Sequence, residues 1–426
     1  MEVSFAHRLG RFVCGTLLCS TVSLAAAADS GSIVFVDDEG AASSSGASNG
    51  SFVVVNEASQ AETKSARAEV KVAPQEKKSR QVAARRSTER CPQKLDEAGQ
   101  LLIEAHNAST CAKTETDLSE VIDKSIAALR LGVKGENKKF ATQLISWSLN
   151  RRGQVYADAD KPELADADFE EALHFDPSNW RAQHNRGVSY AEAGKFAEAF
   201  DDFNRVIETN PKFAKAYTNR ATLFVQAGDL ESAEEDYKKA CQLDKKLVSA
   251  RLGLARACHL SGRWDEALEH FTAAAKLDPE NPGILCSRGD LLADMGEYSE
   301  ALASYALAIE VKPSFGHAYR NGAWLLATCP NEEFRDPKNA ILGAKQALET
   351  EYGERHVALD TLAAALASAG EFDEAITTLE EAIELAPSGI RADYVARVKL
   401  YETGQPFRTQ PVADVSQAVY EESDGE

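Results

Sequence analysis

Asn185 to Pro211, NRGVSYAEAGKFAEAFDDFNRVIETNP, is the stretch whose reading decides the fold. Apolar and small residues recur at helical spacing on both sides of Gly194, and Pro211 follows the second run. Glycine makes a left-handed turn cheap at the end of one helix, and proline cannot continue the other. The same chemistry returns in NRATLFVQAGDLESAEEDYKKACQLDK, ending at Lys245, and in SRGDLLADMGEYSEALASYALAIEVKP, ending at Pro313. Pro177 and Pro211 stand 34 residues apart, as do Pro279 and Pro313. A fixed period of this length predicts an array of helix pairs, each burying its apolar face on the next.

Three columns of small residues keep phase through the array. Gly153, Gly187, Ala221, Ala255, Gly289, Ala323 and Ala363 lie midway along the first helices. Ala165, Ala199, Ala233, Ala267, Ala301, Ala340 and Ala375 open the second helices. Ala172, Ala240, Ala274, Ala308, Ala347 and Ala382 form the third column, with Val206 as its one larger member. Small side chains let antiparallel helices approach closely, so ridges settle into grooves. Phe169, Phe203, Tyr237, Phe271 and Tyr305 follow the second column by four residues and fill the remaining space. Gly194, Gly228, Gly262, Gly296 and Gly370 end the first helices.

This pattern resembles the tetratricopeptide repeat family over about Ser146 to Gly389. The resemblance implies an all-α, right-handed α-solenoid of seven repeats. Their bounds are 146–179, 180–213, 214–247, 248–281, 282–315, 316–355 and 356–389. A degenerate leading helical pair is expected over 91–145, with helices at about Leu95 to Asn107 and Asp117 to Leu131. A capping helix is expected over 390–403.

One repeat breaks step. From Ala323 to Ala340 is 17 residues, where Gly187 to Ala199 is 12, so CPNEEFRDP carries about five extra residues. Pro330 ends one helix and Pro337 starts the next, where proline is tolerated. The expected effect is a longer turn with the packing columns unchanged. WLLATCP with the segment after it is similar to the closing part of many bacterial tetratricopeptide proteins.

The flanks read differently. His7, Arg8 and Arg11 precede the apolar FVCGTLLCSTVSLAAAA, which predicts a signal peptide over 1–28. Export to the periplasm or outside the cell follows, with an uncleaved membrane anchor as the alternative. The apolar run is short for a span and holds Thr16, Ser20, Thr21 and Ser23. Residues 29–90 contain GAASSSGASNGS and a polar, increasingly basic stretch, which predicts a disordered linker; 404–426 read as a disordered acidic tail. Without the signal six cysteines remain. A helix between Cys91 and Cys111 would hold them roughly 20 Å apart, too far for a bridge. Buried free thiols are the expectation.

The net charge of −20 argues against nucleic acid as a partner, since phosphates require a basic footprint. Most acid falls on second helices, in runs such as ESAEED, while Arg181, Lys215, Arg256 and Arg320 fall on first helices. In this family the first helices line a concave groove that binds extended peptides or a partner's helix without chemistry of its own. The resemblance therefore implies a non-enzymatic scaffold or adaptor that binds a protein or peptide. The charge split has two readings: a mildly basic groove favouring an acidic segment, or exposed second helices simply solvated by their carboxylates. A self-assembling structural component is the alternative and a hydrolase a remote one. Asn185, Asn219 and Asn321 recur at one offset, where an amide could pair with a bound backbone or join neighbouring helices. Chaperone-binding relatives clamp a terminal carboxylate with a fuller set. Here Val188, Thr222 and Trp324 stand where further asparagines are wanted, so that specificity is not expected. The sequence shows no HExxH, no phosphate-cradling glycine loop and no CxxC pair, so no catalytic, cofactor or metal residues are assigned.

Overall fold

The computed structural model describes residues 96–350 and 355–410. Residues 1–95, on which the expected signal peptide and linker fall, and residues 411–426 lie outside the described residues. The described part consists of helices and the segments that join or follow them, with no strand among the described residues. It divides into two compact units, with the division inside one helix, between Arg186 and Gly187.

The N-terminal unit contains α1 (Glu97–Ser109), α2 (Glu115–Arg130), α3 (Gly135–Asp158), α4 (Pro162–Phe175) and the first half of α5 (Trp180–Glu192). Asp96 caps α1, and Thr114 and Asp117 close a reciprocal capping box on α2. The leading pair lies where expected, but α3 begins at Gly135, so the border at residue 145 falls inside a helix. The added turns have packing of their own: Ala141 is buried with Leu102 and Ala128, and Leu144 with Ala105 and Val121. A 34-residue pattern could not reveal this, because these turns answer to α1 and α2 instead of to a second helix. Tyr156 Oη donates to Glu115 Oε1 at 2.8 Å, and Arg152 reaches Ser119 Oγ at 2.8 Å, tying α2 to α3.

The C-terminal unit runs from Gly187 through α6 (Phe196–Thr209), α7 (Ala214–Gln226), α8 (Leu230–Leu243), α9 (Val248–Leu260) and α10 (Trp264–Leu277). It continues with α11 (Pro282–Asp294), α12 (Tyr298–Val311), α13 (Gly316–Thr328), α14 (Pro337–Glu349), α15 (Arg355–Ala369), α16 (Phe372–Leu385) and α17 (Arg391–Glu402). Odd-numbered helices are the first of each pair. The small columns meet the aromatic one as predicted. A Cβ built on Gly289 would stand 2.6 Å from the Tyr305 ring, and one on Gly187 2.9 Å from that of Phe203. Burying each such ring contributes on the order of 2 kcal/mol. Tyr237 instead presses on Gly253 of the following repeat, a contact outside the predicted columns.

First helices end in one device. At Gly228, φ is +75°; its N–H donates to Val225 O, and the next N–H, of Asp229, donates to Phe224 O. Gly262, Gly296 and Gly370 repeat it, satisfying carbonyls that a helix end leaves open. α13 is the exception. A short 3-10 turn, Glu332–Phe334, fills the inserted stretch, Asp336 caps α14, and Pro337 takes its first position. Among the described residues the free thiols of Cys258, Cys286 and Cys329 are buried, Cys241 is half-buried, and Cys111 is exposed.

Candidate functional site

The residue after each member of the first small column gives a first-helix stripe, which in the C-terminal unit runs Val188, Thr222, Arg256, Asp290, Trp324 and Ala364. Its polar centre is Asp290. Tyr305 Oη and Asn321 Nδ2 both donate to Asp290 Oδ1, at 2.8 and 2.7 Å. Burial pushes this carboxyl above its ordinary value, against the pull of those two bonds and of Arg320. Its other oxygen, Oδ2, is buried without a hydrogen-bond partner. Burial lowers the Arg256 guanidinium, opposed by Tyr237 and Asp290, and raises the Cys286 thiol.

The seven residues assigned from sequence fall into two kinds. Asn185, Asn219 and Asn321 belong to the interior or to bonds between helices. Asn185 is buried and donates Nδ2 to Asn150 Oδ1 at 3.0 Å, joining α3 to α5. Asn321 joins α13 to α11 through Asp290 and accepts Nε of Arg320 at 2.9 Å. Asn219 is fully buried on α7. Arg320 is buried as well, and Arg256 is partly so. Arg181 differs: it is exposed, its guanidinium 4.2 Å from the centre of the Trp180 ring. Lys215 is half-exposed on α7. Arg256, Arg320 and Asn321 therefore gather around Asp290, whereas Arg181 presents charge at the surface of the N-terminal unit and Lys215 is half-buried on α7.

Two arrangements escaped the sequence reading. The first is an arginine–aspartate fork repeated sixteen residues apart. Arg152 grips Asp168 in the N-terminal unit with two bonds of 2.7 Å, and Arg220 grips Asp236 in the C-terminal unit at 2.7 and 2.8 Å. Arginine and aspartate recurring at the array's own period were the available signal. The second lies at the chain's far end, where the sequence predicts a disordered tail from residue 404 onward. The structure corrects this: Gly404, with φ of +72°, turns the chain out of α17, and Gln405 to Gln410 run back without helix onto α13. Pro406 removes a donor, and the residue before Pro411 is biased away from helix, so an extended path is favoured.

This segment supplies what the missing glycine cap would have given α13. Leu325 O accepts the Cys329 N–H, and Leu326 O the Asp336 N–H, both at 3.0 Å. Ala327 O accepts Arg408 Nη1 at 2.9 Å. Thr328 O accepts both the N–H of Thr409, at 2.9 Å, and its hydroxyl, at 3.1 Å. All four terminal carbonyls are thus satisfied, two of them by the returning chain. Arg408 also brings positive charge to the negative end of the helix. Phe407 lies 5.7 Å from Trp324, ring centre to ring centre, with the Arg397 guanidinium 5.3 Å from its own ring and 5.7 Å from that of Trp324. Arg397 is held in turn by a two-bond fork on Asp360, at 3.0 and 2.8 Å.

Stacked antiparallel helix pairs with these columns define an α-solenoid type of repeat protein. Three family models, each described as tetratricopeptide repeat, match the chain: one over 150–214, 194–247 and 218–282, one over 259–321 and one over 358–388. The chain belongs to the tetratricopeptide repeat family, whose members are typically non-catalytic protein-interaction modules. No curated protein matches it. Solved structures similar to it include yeast Tom70, at 19% identity and a TM-score of 0.44 over 76% of this chain and 68% of that one. A tetratricopeptide repeat protein from Parabacteroides merdae has 23% identity and a TM-score of 0.44 over 62% and 97%. YrrB, described as having an unusual peptide-binding site, has 21% identity and a TM-score of 0.37 over 46% and 96%. Among the described residues no helix is long and apolar enough to cross a membrane.

Proposed function

We propose that this protein is a non-enzymatic adaptor, working outside the cytoplasm, whose first helices bind an extended segment of a partner protein. The observation that carries the reading is Gln405–Gln410 itself. A stretch without helix lies against a first helix and donates a main-chain N–H to Thr328 O. Its Phe407 ring meets Trp324, in the same stripe as Thr222, Arg256 and Asp290. A surface that receives one such segment through a main-chain bond, two side-chain bonds to its carbonyls and an aromatic contact has the chemistry to receive another. Export rests on the sequence of residues 1–28. Acid preference rests on the exposed Arg181 in the N-terminal unit and the half-exposed Lys215 in the C-terminal one.

The test is a random peptide library displayed against the full chain, with enriched peptides titrated calorimetrically. Acidic peptides should emerge, and Lys215→Glu should weaken the tightest of them at least tenfold. A library that yields no binder refutes peptide recognition. Binders whose affinity ignores both Lys215→Glu and Arg181→Glu refute the acidic preference.

A further inference from the structure

We propose that Gln405–Gln410 is a displaceable internal occupant of a peptide subsite on α13. The subsite takes an extended aromatic–arginine–threonine segment, and a partner carrying that segment gains access by displacing the strap. This deepens the reading above and rests on it. Three features define the subsite. The Trp324 ring and the Arg397 guanidinium receive an aromatic side chain. Ala327 O receives a guanidinium, and Thr328 O receives a main-chain N–H together with a hydroxyl. Specificity comes from the orphan carbonyls. They exist because the CPNEEFRDP turn replaces the glycine device that closes the other first helices of this unit, so insertion and strap belong to one site.

The attachment is built for exchange. Pro406 to Thr409 are half-buried and Gln405 and Gln410 are exposed, so the strap is seated on the surface and not threaded into the core. The strap starts one residue beyond the Gly404 turn, so its effective concentration at the subsite is on the order of millimolar. A free peptide with the same contacts must compete at that level. A partner that adds contacts along α11 and α9 displaces the strap at far lower concentration.

The probe is the synthetic hexapeptide acetyl-QPFRTQ-amide, labelled for fluorescence anisotropy and titrated onto the full chain. In Phe407→Ala/Arg408→Ala the subsite is vacated, and this variant should bind the probe at least tenfold more tightly than the unaltered chain. Adding Trp324→Ala should abolish that gain. Hydrogen exchange on the unaltered chain supplies a second measurement that no folding defect can mimic. Millimolar probe should accelerate exchange of the Thr409 amide, which is bonded to Thr328 O, and leave the α7 amides unchanged. Equal probe affinity with and without the double change, or Thr409 exchange indifferent to millimolar probe, overturns the proposal. Since the assay uses the strap's own sequence, its failure leaves the Lys215-dependent test standing. Binders indifferent to Lys215→Glu and Arg181→Glu would remove the acidic preference alone and leave this proposal intact.

Discussion

Replacing Arg397 by methionine keeps most of the side chain's apolar stem but strands a carboxylate. Asp360 is 5% exposed, and its only charged hydrogen-bond partner among the described residues is Arg397. Burial already pushes its carboxyl above the ordinary value, and Arg397 pulls it back down. Without the guanidinium the folded state must either hold a bare buried charge or take up a proton. Protonation caps the penalty. From an unfolded value near 3.9, neutralising a carboxyl costs about 4 kcal/mol at pH 7 and about 1.5 kcal/mol at pH 5. At pH 7 this agrees with the ~3–5 kcal/mol typical of breaking a buried pair. The sign follows: a carboxyl raised in the folded state withholds stability above that raised value and returns it as pH falls. Arg397→Met should therefore lose about 4 kcal/mol at pH 7 and recover roughly 2.5 kcal/mol of it at pH 5. Asp360→Asn/Arg397→Met should be nearly independent of pH over the same range. Urea titrations followed by the fluorescence of Trp324, within stacking distance of Arg397, measure both. A penalty equal at the two pH values would show that the Asp360 charge is not its source.

Two further outcomes concern packing and titration. Gly289→Ala drives a methyl into the Tyr305 ring and should cost about 1–3 kcal/mol, whereas Gly322→Ala, whose Cβ would meet nothing nearer than 3.8 Å, should gain about 0.5–1 kcal/mol. Urea midpoints should move in opposite directions, and movement in the same direction would refute the packing assignment. Burial pushes His317 down to about 3, with Arg320 adding to the shift, so the folded chain keeps it neutral while the unfolded chain charges it below about 6.5. Its contribution is complete above that value and declines as pH falls, by up to about 1.4 kcal/mol per unit. His317→Gln should flatten the loss of stability between pH 6.5 and 5, and an unaltered slope would reject the assignment.

The repeat period was legible because glycine, alanine and the aromatic ring answer to neighbours at fixed separation. Gly289 and Tyr305 are sixteen residues apart, and Gly187 meets Phe203 at the same separation. α3 was harder, since Ala141 and Leu144 pack on helices that share no period with it. At the candidate site, chemical type was visible while direction was not. Asn185 and Asn321 occupy the offset that suits a ligand, yet each amide turns toward the neighbouring first helix. A rotation of one side chain decides between those uses, and spacing does not encode it. Residues 405–410 were hidden for a related reason: their partners are Ala327 O and Thr328 O, main-chain atoms with no signature in the sequence.

The strap also alters how the array holds together in time. In a linear stack each repeat leans on its neighbours alone, so disruption enters at the ends and spreads inward unit by unit. Arg408 and Thr409 instead bond residues 81 positions earlier, closing α13 to α17 into a loop of chain. Opening α17 then requires letting go of α13 as well, which binds the last repeats into one cooperative block. Such a clasp depends on a contact distant in sequence, and local helix pairs form sooner. It should be the last piece of this unit to fall into place and, once there, should keep the C-terminal end from fraying.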